Sequence, residues 1–166
     1  MSFVIGALGP HSDTTDFDCG EPPLNDYLKR YSSQDAKRGL ARIFAAAHLE
    51  SPSVVLGFYT LSAASVAADS LPETIRKRLP RYPIPVALLG RLAVSRAMQG
   101  KGLGATLLAD ACKRVLAASE TLAVAAIVVD AKSSRAARFY EHNGFQPLPG
   151  QSGRWMLPRS QFSDLT

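Results

Sequence analysis

The stretch Gln99-Gly100-Lys101-Gly102-Leu103-Gly104-Ala105 lies between two segments with clear hydrophobic patterns. Residues 86–94 before it form an apolar run typical of a strand, and residues 103–116 after it carry apolar side chains at helical spacing. Glycines at such a junction leave several backbone N–H groups free to point at one place. The helix N-terminus adds partial positive charge there. The sequence therefore predicts an anion-binding loop.

The spacing of these glycines excludes two common nucleotide-binding loops. The chain contains no G-x-x-x-x-G-K-[ST] sequence, and the dinucleotide pattern G-x-G-x-x-G is replaced here by G-x-G-x-G. Nor does an acidic residue follow at the distance where a ribose would be bound. Taken alone, the stretch is also compatible with a simple tight turn between a strand and a helix.

Length and composition predict one domain over residues 1–166, since 46% hydrophobic residues are ample for a single core. The longest apolar run, residues 122–129, is far too short to cross a bilayer. Residues 1–10 have no basic lead-in and do not resemble a signal peptide. The two cysteines, Cys19 and Cys112, have no metal-binding spacing, so we expect no metal and a reduced, cytoplasmic compartment. Cys112 falls on the apolar face of a predicted helix and is expected in the core.

The chain carries a net charge of +5, and its basic residues are clustered. A cluster of this kind is either a solvated face or a contact with a polyanion, and several clusters with few compensating acids favour the polyanion. The candidate nucleic-acid contacts are Lys29, Lys37 and Arg38 in the N-terminal third, and Arg76, Lys77, Arg78 and Arg81 ahead of residues 86–94. Further basic residues are Arg30, Arg42, Lys132, Arg135 and Arg138. Arg91 lies within a predicted strand and could instead pair inside the protein.

The remaining pattern alternates strands and helices. Predicted strands cover residues 3–8, 41–49, 54–62, 86–94, 122–129, 145–148 and 154–157. Helices are predicted over residues 24–31 and 103–116, and a third is predicted to begin near Pro72. A fourth is predicted to begin at a serine cap, 133 or 134, and to end at Asn143-Gly144. A helix between two buried strands predicts an α/β or α+β sheet with helical cover.

Two motifs resemble the GNAT N-acetyltransferases. The pyrophosphate loop of that family resembles Gln99-x-x-Gly102-x-Gly104, which follows Leu92-Ala93-Val94 here. The family's second signature resembles Ala136-x-x-Phe139-Tyr140-x-x-x-Gly144-Phe145. The resemblance implies a mixed, twisted sheet of about six or seven strands, about four flanking helices and splayed central strands. It implies acetyl-CoA as cosubstrate, held by Leu92, Ala93, Val94, Gln99, Gly100, Lys101, Gly102, Leu103, Gly104, Ala105 and Ser133. Ser133 stands where many members carry Asn.

Further motifs resemble the GNAT toxins of bacterial toxin–antitoxin modules. They are Cys19-Gly20, Leu24-Asn25-Asp26-Tyr27-Leu28, Gly57-Phe58-Tyr59-Thr60-Leu61 and Pro85-Val86-x-Leu88-Leu89-Gly90-Arg91-Leu92-Ala93-Val94. Those toxins acetylate the amino group of aminoacyl-tRNA, which blocks translation, and pair with ribbon-helix-helix antitoxins. The resemblance also suggests a homodimer. Arg42 departs from the subgroup, in which a Thr or Val is expected.

Tyr140 is the candidate catalytic acid, because a phenol can donate a proton or a hydrogen bond to a departing sulfur. The alternative is an aromatic core residue beside Phe139. No general base is evident, and an aminoacyl amine is partly neutral near pH 7, so water could accept its proton. His48 and His142 are expected to be structural or exposed. Lys101 either contacts a phosphate or is simply solvated.

The sequence is also compatible with two other functions. One is an acetyltransferase acting on a small amine or a protein N-terminus. The other is a non-catalytic GNAT module that binds acyl-CoA or a partner protein.

Overall fold

The computed structural model describes residues 2–165. Its strands form a seven-stranded sheet in the order β1-β2-β3-β4-β5-β7-β6. The strands are β1 (Phe3–Ala7), β2 (Arg42–His48), β3 (Gly57–Val66), β4 (Ile84–Val94), β5 (Ala126–Asp130), β6 (Gln146–Pro147) and β7 (Arg154–Pro158). The helices are α1 (Pro22–Asp26), α2 (Ser32–Lys37), α3 (Glu73–Arg76), α4 (Leu103–Ala118) and α5 (Ser134–His142). A π-helical turn, Tyr27–Tyr31, joins α1 to α2.

The chain folds into two compact units. Unit 1 contains residues up to Ser62 together with Gly90–Ala111. Here β1 pairs antiparallel with β2, and β2 with β3. The aromatic rings of Phe17 and Tyr27 both contact that of Phe58. The core that packs the N-terminal helical segment against these strands comprises Phe17, Tyr27, Leu28, Ala41, Ile43, Val55, Phe58 and Ala93.

Unit 2 contains Ala63–Leu89 and the chain from Cys112 onward. Its centre is the parallel pair β4–β5, in register from Val86 with Ala126 to Leu89 with Val129. The antiparallel strand β7 covers the other edge of β5 and pairs in turn with β6. The continuous apolar sequence of β5 reflects burial of residues 126–129. The core comprises Val66, Ala68, Leu71, Ile84, Val86, Ala126, Val128, Leu148 and Met156.

The predicted mixed sheet and its strand number are confirmed. The helices number five within residues 2–165, where about four were predicted, because the helical stretch continues past Tyr31 into α2. Residues 32–37 carry no apolar stripe, so periodicity could not reveal them. Cys112 is fully buried, as predicted.

One predicted strand begins too early. The run at 122–129 was predicted as strand throughout, yet β5 begins only at Ala126, and Leu122 is 64% exposed. An apolar sequence becomes strand only where a neighbour pairs with it, and the β4 register starts at Ala126. No helix within residues 2–165 is long and apolar enough to cross a membrane.

Candidate active site

The glycine loop between β4 and α4 presents unpaired backbone donors. Gly100 and Gly102 have φ angles of 77° and 87°, which are left-handed conformations that favour glycine. The first bond of the helix runs from the N–H of Thr106 to the carbonyl of Gly102 at 3.1 Å. The N–H groups of residues 100–105 donate to no described residue. A run of free amides at the N-terminus of a 16-residue helix is a candidate anion site built from backbone alone.

Gln99 anchors the start of this loop. Its side-chain amide donates to the carbonyl of Val94 at 2.9 Å and to the carbonyl of Cys19 at 3.0 Å. Both side-chain N–H groups are therefore used within the protein, and the backbone N–H of Gln99 donates to the carbonyl of Arg96 at 3.3 Å. A cofactor contact of Gln99 would have to share one of these donors. Both side-chain bonds connect the loop to segments that lie earlier in the chain.

The start of α4 is packed closely on β3. A Cβ on Gly57 would lie 2.9 Å from Leu107 Cδ1 and 3.2 Å from the carbonyl oxygen of Ala93. Gly57 thus lets the helix approach the sheet, and Leu103 and Leu107 are buried there. Further along α4, Asp110 accepts a hydrogen bond from the hydroxyl of Tyr59 on β3. These contacts determine where the N-terminus of α4, and hence the anion site, is held.

The other predicted cofactor residues of unit 1 lie on β4 and in the loop. Ala93 is buried, whereas Leu92 and Val94 are partly buried. The carbonyl of Val94 already accepts from Gln99, so one of its lone pairs is used by the protein. Lys101 and Ala105 are exposed, and Gly104 lies inside the first turn of α4.

Tyr140 lies on α5 in unit 2 and is only 6% exposed. Its ring contacts Phe139 edge-on at 5.2 Å and Phe145 at 5.3 Å between centroids. The described residues provide no hydrogen-bond partner for its hydroxyl. Burial, and secondarily the negative charge of Asp130, raises the pKa of Tyr140 well above its ordinary value. The phenol is therefore protonated throughout the neutral pH range and free to donate.

Asp130 at the end of β5 is itself held by an ion pair. Arg154 on β7 donates from Nε to one carboxylate oxygen at 3.0 Å and from Nη2 to the other at 3.4 Å. The side chain of Ser133 accepts the N–H of Ala136 at 3.1 Å and so caps α5. The predicted cap is confirmed, and the predicted cofactor contact of Ser133 has to share its oxygen with the helix.

The candidate nucleic-acid residues fall into two groups, and all seven are exposed. Lys29, Lys37 and Arg38, here named the N-terminal basic cluster, belong to unit 1. Arg76, Lys77, Arg78 and Arg81, here named the α3 basic cluster, belong to unit 2. Lys77 forms a solvent-exposed pair with Glu73 at 3.5 Å, which contributes little.

Two other arginines serve the protein itself. The guanidinium of Arg91 lies 3.5 Å from the ring centroid of Tyr27, which confirms the internal alternative. The Tyr27 hydroxyl donates to Asp35 at 2.8 Å, and burial raises the pKa of Tyr27 to about 12. Arg42 donates to the carbonyl of Ala36 at 2.9 Å and closes the end of α2.

His48 and His142 lie where the sequence predicts structural or exposed residues. His48 stacks on Phe3 with centroids 5.2 Å apart, and His142 is exposed at the end of α5. Among residues 2–165, no group of three His, Cys, Asp or Glu side chains could hold a metal ion.

Sequence reasoning missed a second set of residues beside the loop. Asp18 accepts hydrogen bonds from the side-chain amide of Asn25 and from the N–H of Gly20, and it forms an ion pair with Arg96. Asn25 accepts a hydrogen bond from the N–H of Cys19. The signal was present, because Asp-x-Gly is typical of a turn closed by its own carboxylate. Residues 16–20 are turn-like in sequence, but no contact between this turn and the glycine loop was predicted.

A mixed sheet whose central strand leads into free backbone amides is the arrangement expected of a transferase that binds the pyrophosphate of an acyl donor. Residues 42–147 match the family described as acetyltransferase (GNAT) domain, and the chain belongs to that family.

Relatives of known description extend this finding. A Mycobacterium tuberculosis protein named tRNA-acetylating toxin is 40% identical over 145 residues, covering 87% of this chain and 85% of the relative. A structure of AtaT complexed with acetyl-methionyl-tRNAfMet superposes with a TM-score of 0.92 at 32% identity, covering 99% of both chains. A mutant AtaT toxin bound to the C-terminus of the antitoxin AtaR and acetyl-CoA gives 0.84 at 30% identity, covering 98% and 97%.

Proposed function

We propose that this protein is an acetyl-CoA-dependent N-acetyltransferase that acetylates the amino group of aminoacyl-tRNA and thereby blocks translation. The observation that supports acetyl-CoA as the acetyl donor is the run of free N–H groups over residues 100–105. Support for the acceptor comes from the tRNA-acetylating relative and from the similar fold of AtaT, which is bound to acetyl-methionyl-tRNAfMet.

The loop binds the pyrophosphate of acetyl-CoA through backbone amides, which requires no particular side chain. Gly100 and Gly102 supply the left-handed turns, and nothing lies within 4 Å of where their Cβ atoms would be, so the space above them is open. Lys101 is exposed and adds positive charge near the phosphates. The backbone of Leu92–Val94 pairs with the amide-rich pantetheine arm in the manner of an added strand. Ser133 is the remaining proposed contact of the cofactor.

Tyr140 assists departure of the thiolate. The acceptor nitrogen attacks the thioester carbonyl, the C–S bond breaks, and the proton released from nitrogen passes to water. An alkyl thiol has a pKa of about 8.5, below that of the buried phenol, so full proton transfer from Tyr140 to sulfur is uphill. Its best role is to donate a hydrogen bond that stabilises the developing negative charge on sulfur.

The two basic clusters bind tRNA phosphates, which supply affinity and orientation independently of base sequence. Pairing with a ribbon-helix-helix antitoxin is supported by the AtaT structure that contains the C-terminus of AtaR. We further propose that the protein acts in the cytoplasm as a homodimer.

The decisive experiment supplies purified protein with labelled acetyl-CoA and a bulk aminoacyl-tRNA pool, followed by ester hydrolysis. N-acetyl amino acid is expected among the products. Transfer to small amines or peptide N-termini instead would replace aminoacyl-tRNA as the acceptor. Tight acetyl-CoA binding without transfer to any acceptor would indicate a non-catalytic module.

A further inference from the structure

The segment Ser95–Gln99 immediately precedes the cofactor loop, and one turn near the N-terminus of the chain holds it. The backbone N–H of Arg96 donates to the carbonyl of Asp18 at 2.8 Å. Gln99 donates to the carbonyl of Cys19 at 3.0 Å. The segment is therefore bonded to the peptide groups of Asp18 and Cys19, about eighty positions earlier in the chain.

The turn itself is shaped by the carboxylate of Asp18. Its Oδ1 accepts the N–H of Gly20 and the side-chain amide of Asn25, both at 2.9 Å. Asn25 in turn accepts the N–H of Cys19 at 2.9 Å through its own Oδ1. Thus Asp18 and Asn25 orient the turn at Cys19 from one side, and Gln99 bonds to the Cys19 carbonyl from the other.

Gly20 and Arg96 complete the contact. Gly20 has φ +90°, and a Cβ there would lie 3.1 Å from the Nε of Arg96. The guanidinium of Arg96 therefore lies directly against the turn, with its Nε 3.7 Å from the other carboxylate oxygen of Asp18. The hydrogen bonds from Gly20 and Asn25 lower the pKa of Asp18, so the carboxylate is charged at neutral pH.

We propose that Asp18 is a positioning residue for the cofactor loop, acting with Asn25 through the Cys19 turn and Gln99 to hold the backbone amides of residues 100–105 in place for a pyrophosphate. The inference rests on the proposed function, because it assumes that the loop binds acetyl-CoA. Asp18 touches neither donor nor acceptor in this scheme.

The test compares two donors. S-acetylpantetheine carries the thioester and the pantetheine arm without the pyrophosphate. In Asp18→Ala, the KM for acetyl-CoA is expected to rise about tenfold, since one or two hydrogen bonds of the turn are lost, while kcat changes little. The kcat/KM for S-acetylpantetheine should stay close to wild type. A general structural defect would instead lower activity with both donors equally, and that result overturns the proposal.

Further variants separate hydrogen bonding from charge. Asp18→Asn keeps the Oδ1 acceptor and should restore most of the acetyl-CoA affinity, because the exposed pair with Arg96 contributes little. Asn25→Ala should reproduce Asp18→Ala, and the double variant should be little worse than either, since both act through one turn. Asp16→Ala, an exposed carboxylate in the preceding turn, is the matched control and should behave as wild type. If the effects of Asp18→Ala and Asn25→Ala add up in the double variant, the two residues do not act through the same turn.

A binding measurement keeps the two proposals distinguishable. The Kd of CoA, measured by calorimetry, should rise in Asp18→Ala by the same factor as KM. If the wild-type protein acetylates no aminoacyl-tRNA, the proposed function fails, and the positioning role is then decided by this Kd alone. An unchanged Kd in Asp18→Ala would overturn the role of Asp18 whatever the acceptor.

Discussion

Tyr140 shows how burial distinguishes the candidate catalytic side chain from its aromatic neighbours. Adjacent aromatic residues could equally have formed plain core, and Phe139 and Phe145 do pack around the tyrosine ring. What distinguishes Tyr140 is a hydroxyl that finds no partner among the described residues and a pKa raised by desolvation. Among the described residues no buried side-chain oxygen or nitrogen lacks a hydrogen-bond partner, so the Tyr140 hydroxyl is still reached by solvent. A ligand that replaces this solvent can accept the hydrogen bond.

Removal of this hydroxyl is the first prediction. Tyr140→Phe should lower kcat by a factor of about 10² or more, the usual loss for a positioned donor, and leave the KM for acetyl-CoA within about twofold of wild type. Steady-state kinetics with acetyl-CoA and aminoacyl-tRNA measure both. Tyr31→Phe, which removes a hydroxyl from an exposed tyrosine, is the control. Full activity of Tyr140→Phe would remove the phenol from the mechanism.

Cys112 gives a prediction for stability. Burial raises the pKa of its thiol from 9.0 to about 11. The unfolded chain therefore loses this proton first, so the stabilisation is complete below pH 9 and is lost as the pH rises from 9 to 11. Chemical denaturation across this range should show a falling free energy of unfolding, and Cys112→Ala should make the fall shallower. An identical slope in both proteins would contradict the assignment.

Among the secondary-structure elements, the close approach of α4 to β3 places the anion site. The approach depends on Gly57, since any Cβ there meets Leu107 and the Ala93 carbonyl. A helix that carries the binding amides at its first turn transmits any displacement of that turn directly to the ligand.

Gly57→Ala should therefore reduce stability by about 1–3 kcal/mol through overpacking and raise the KM for acetyl-CoA. Denaturant unfolding and donor kinetics measure the two effects. Gly6→Ala on β1 is the matched control, because nothing lies within 4 Å of a Cβ at that position. If Gly57→Ala matches this control in both measurements, the helix position does not depend on the glycine.

The excess of positive charge is the property of the molecule as a whole that is most relevant to a tRNA substrate. Charge-neutralising variants should weaken binding in proportion to the phosphate contacts that are lost. The double variant Lys37→Gln/Arg38→Gln should raise the KM for aminoacyl-tRNA. In a plot of log KM against log salt concentration, its slope should be smaller than that of wild type by about 1 to 2.

The KM for acetyl-CoA should not change in this double variant. Lys113→Gln alters an exposed lysine outside both clusters and should leave the slope intact. A salt dependence equal to that of wild type would exclude the N-terminal basic cluster from tRNA contact.

The class of sheet, the glycine loop between β4 and α4 and the helix that carries Tyr140 could all be predicted from the amino-acid sequence. These depend on local signals, namely glycines at a strand–helix junction, apolar periodicity and a serine cap, whose physics acts within a few residues. The predicted end of α5 at Asn143-Gly144 matches the structure for the same reason.

The support of the loop became visible only in the folded protein. Asp18, Asn25, Arg96 and Gln99 come together through contacts that span up to about eighty positions, and no pattern along the chain encodes such a distance. The same holds for the start of β5 at Ala126, which the partner strand determines, and for Arg91, whose charge lies on the Tyr27 ring. Local signals specify which elements form, and packing between distant segments specifies which side chains remain free to bind.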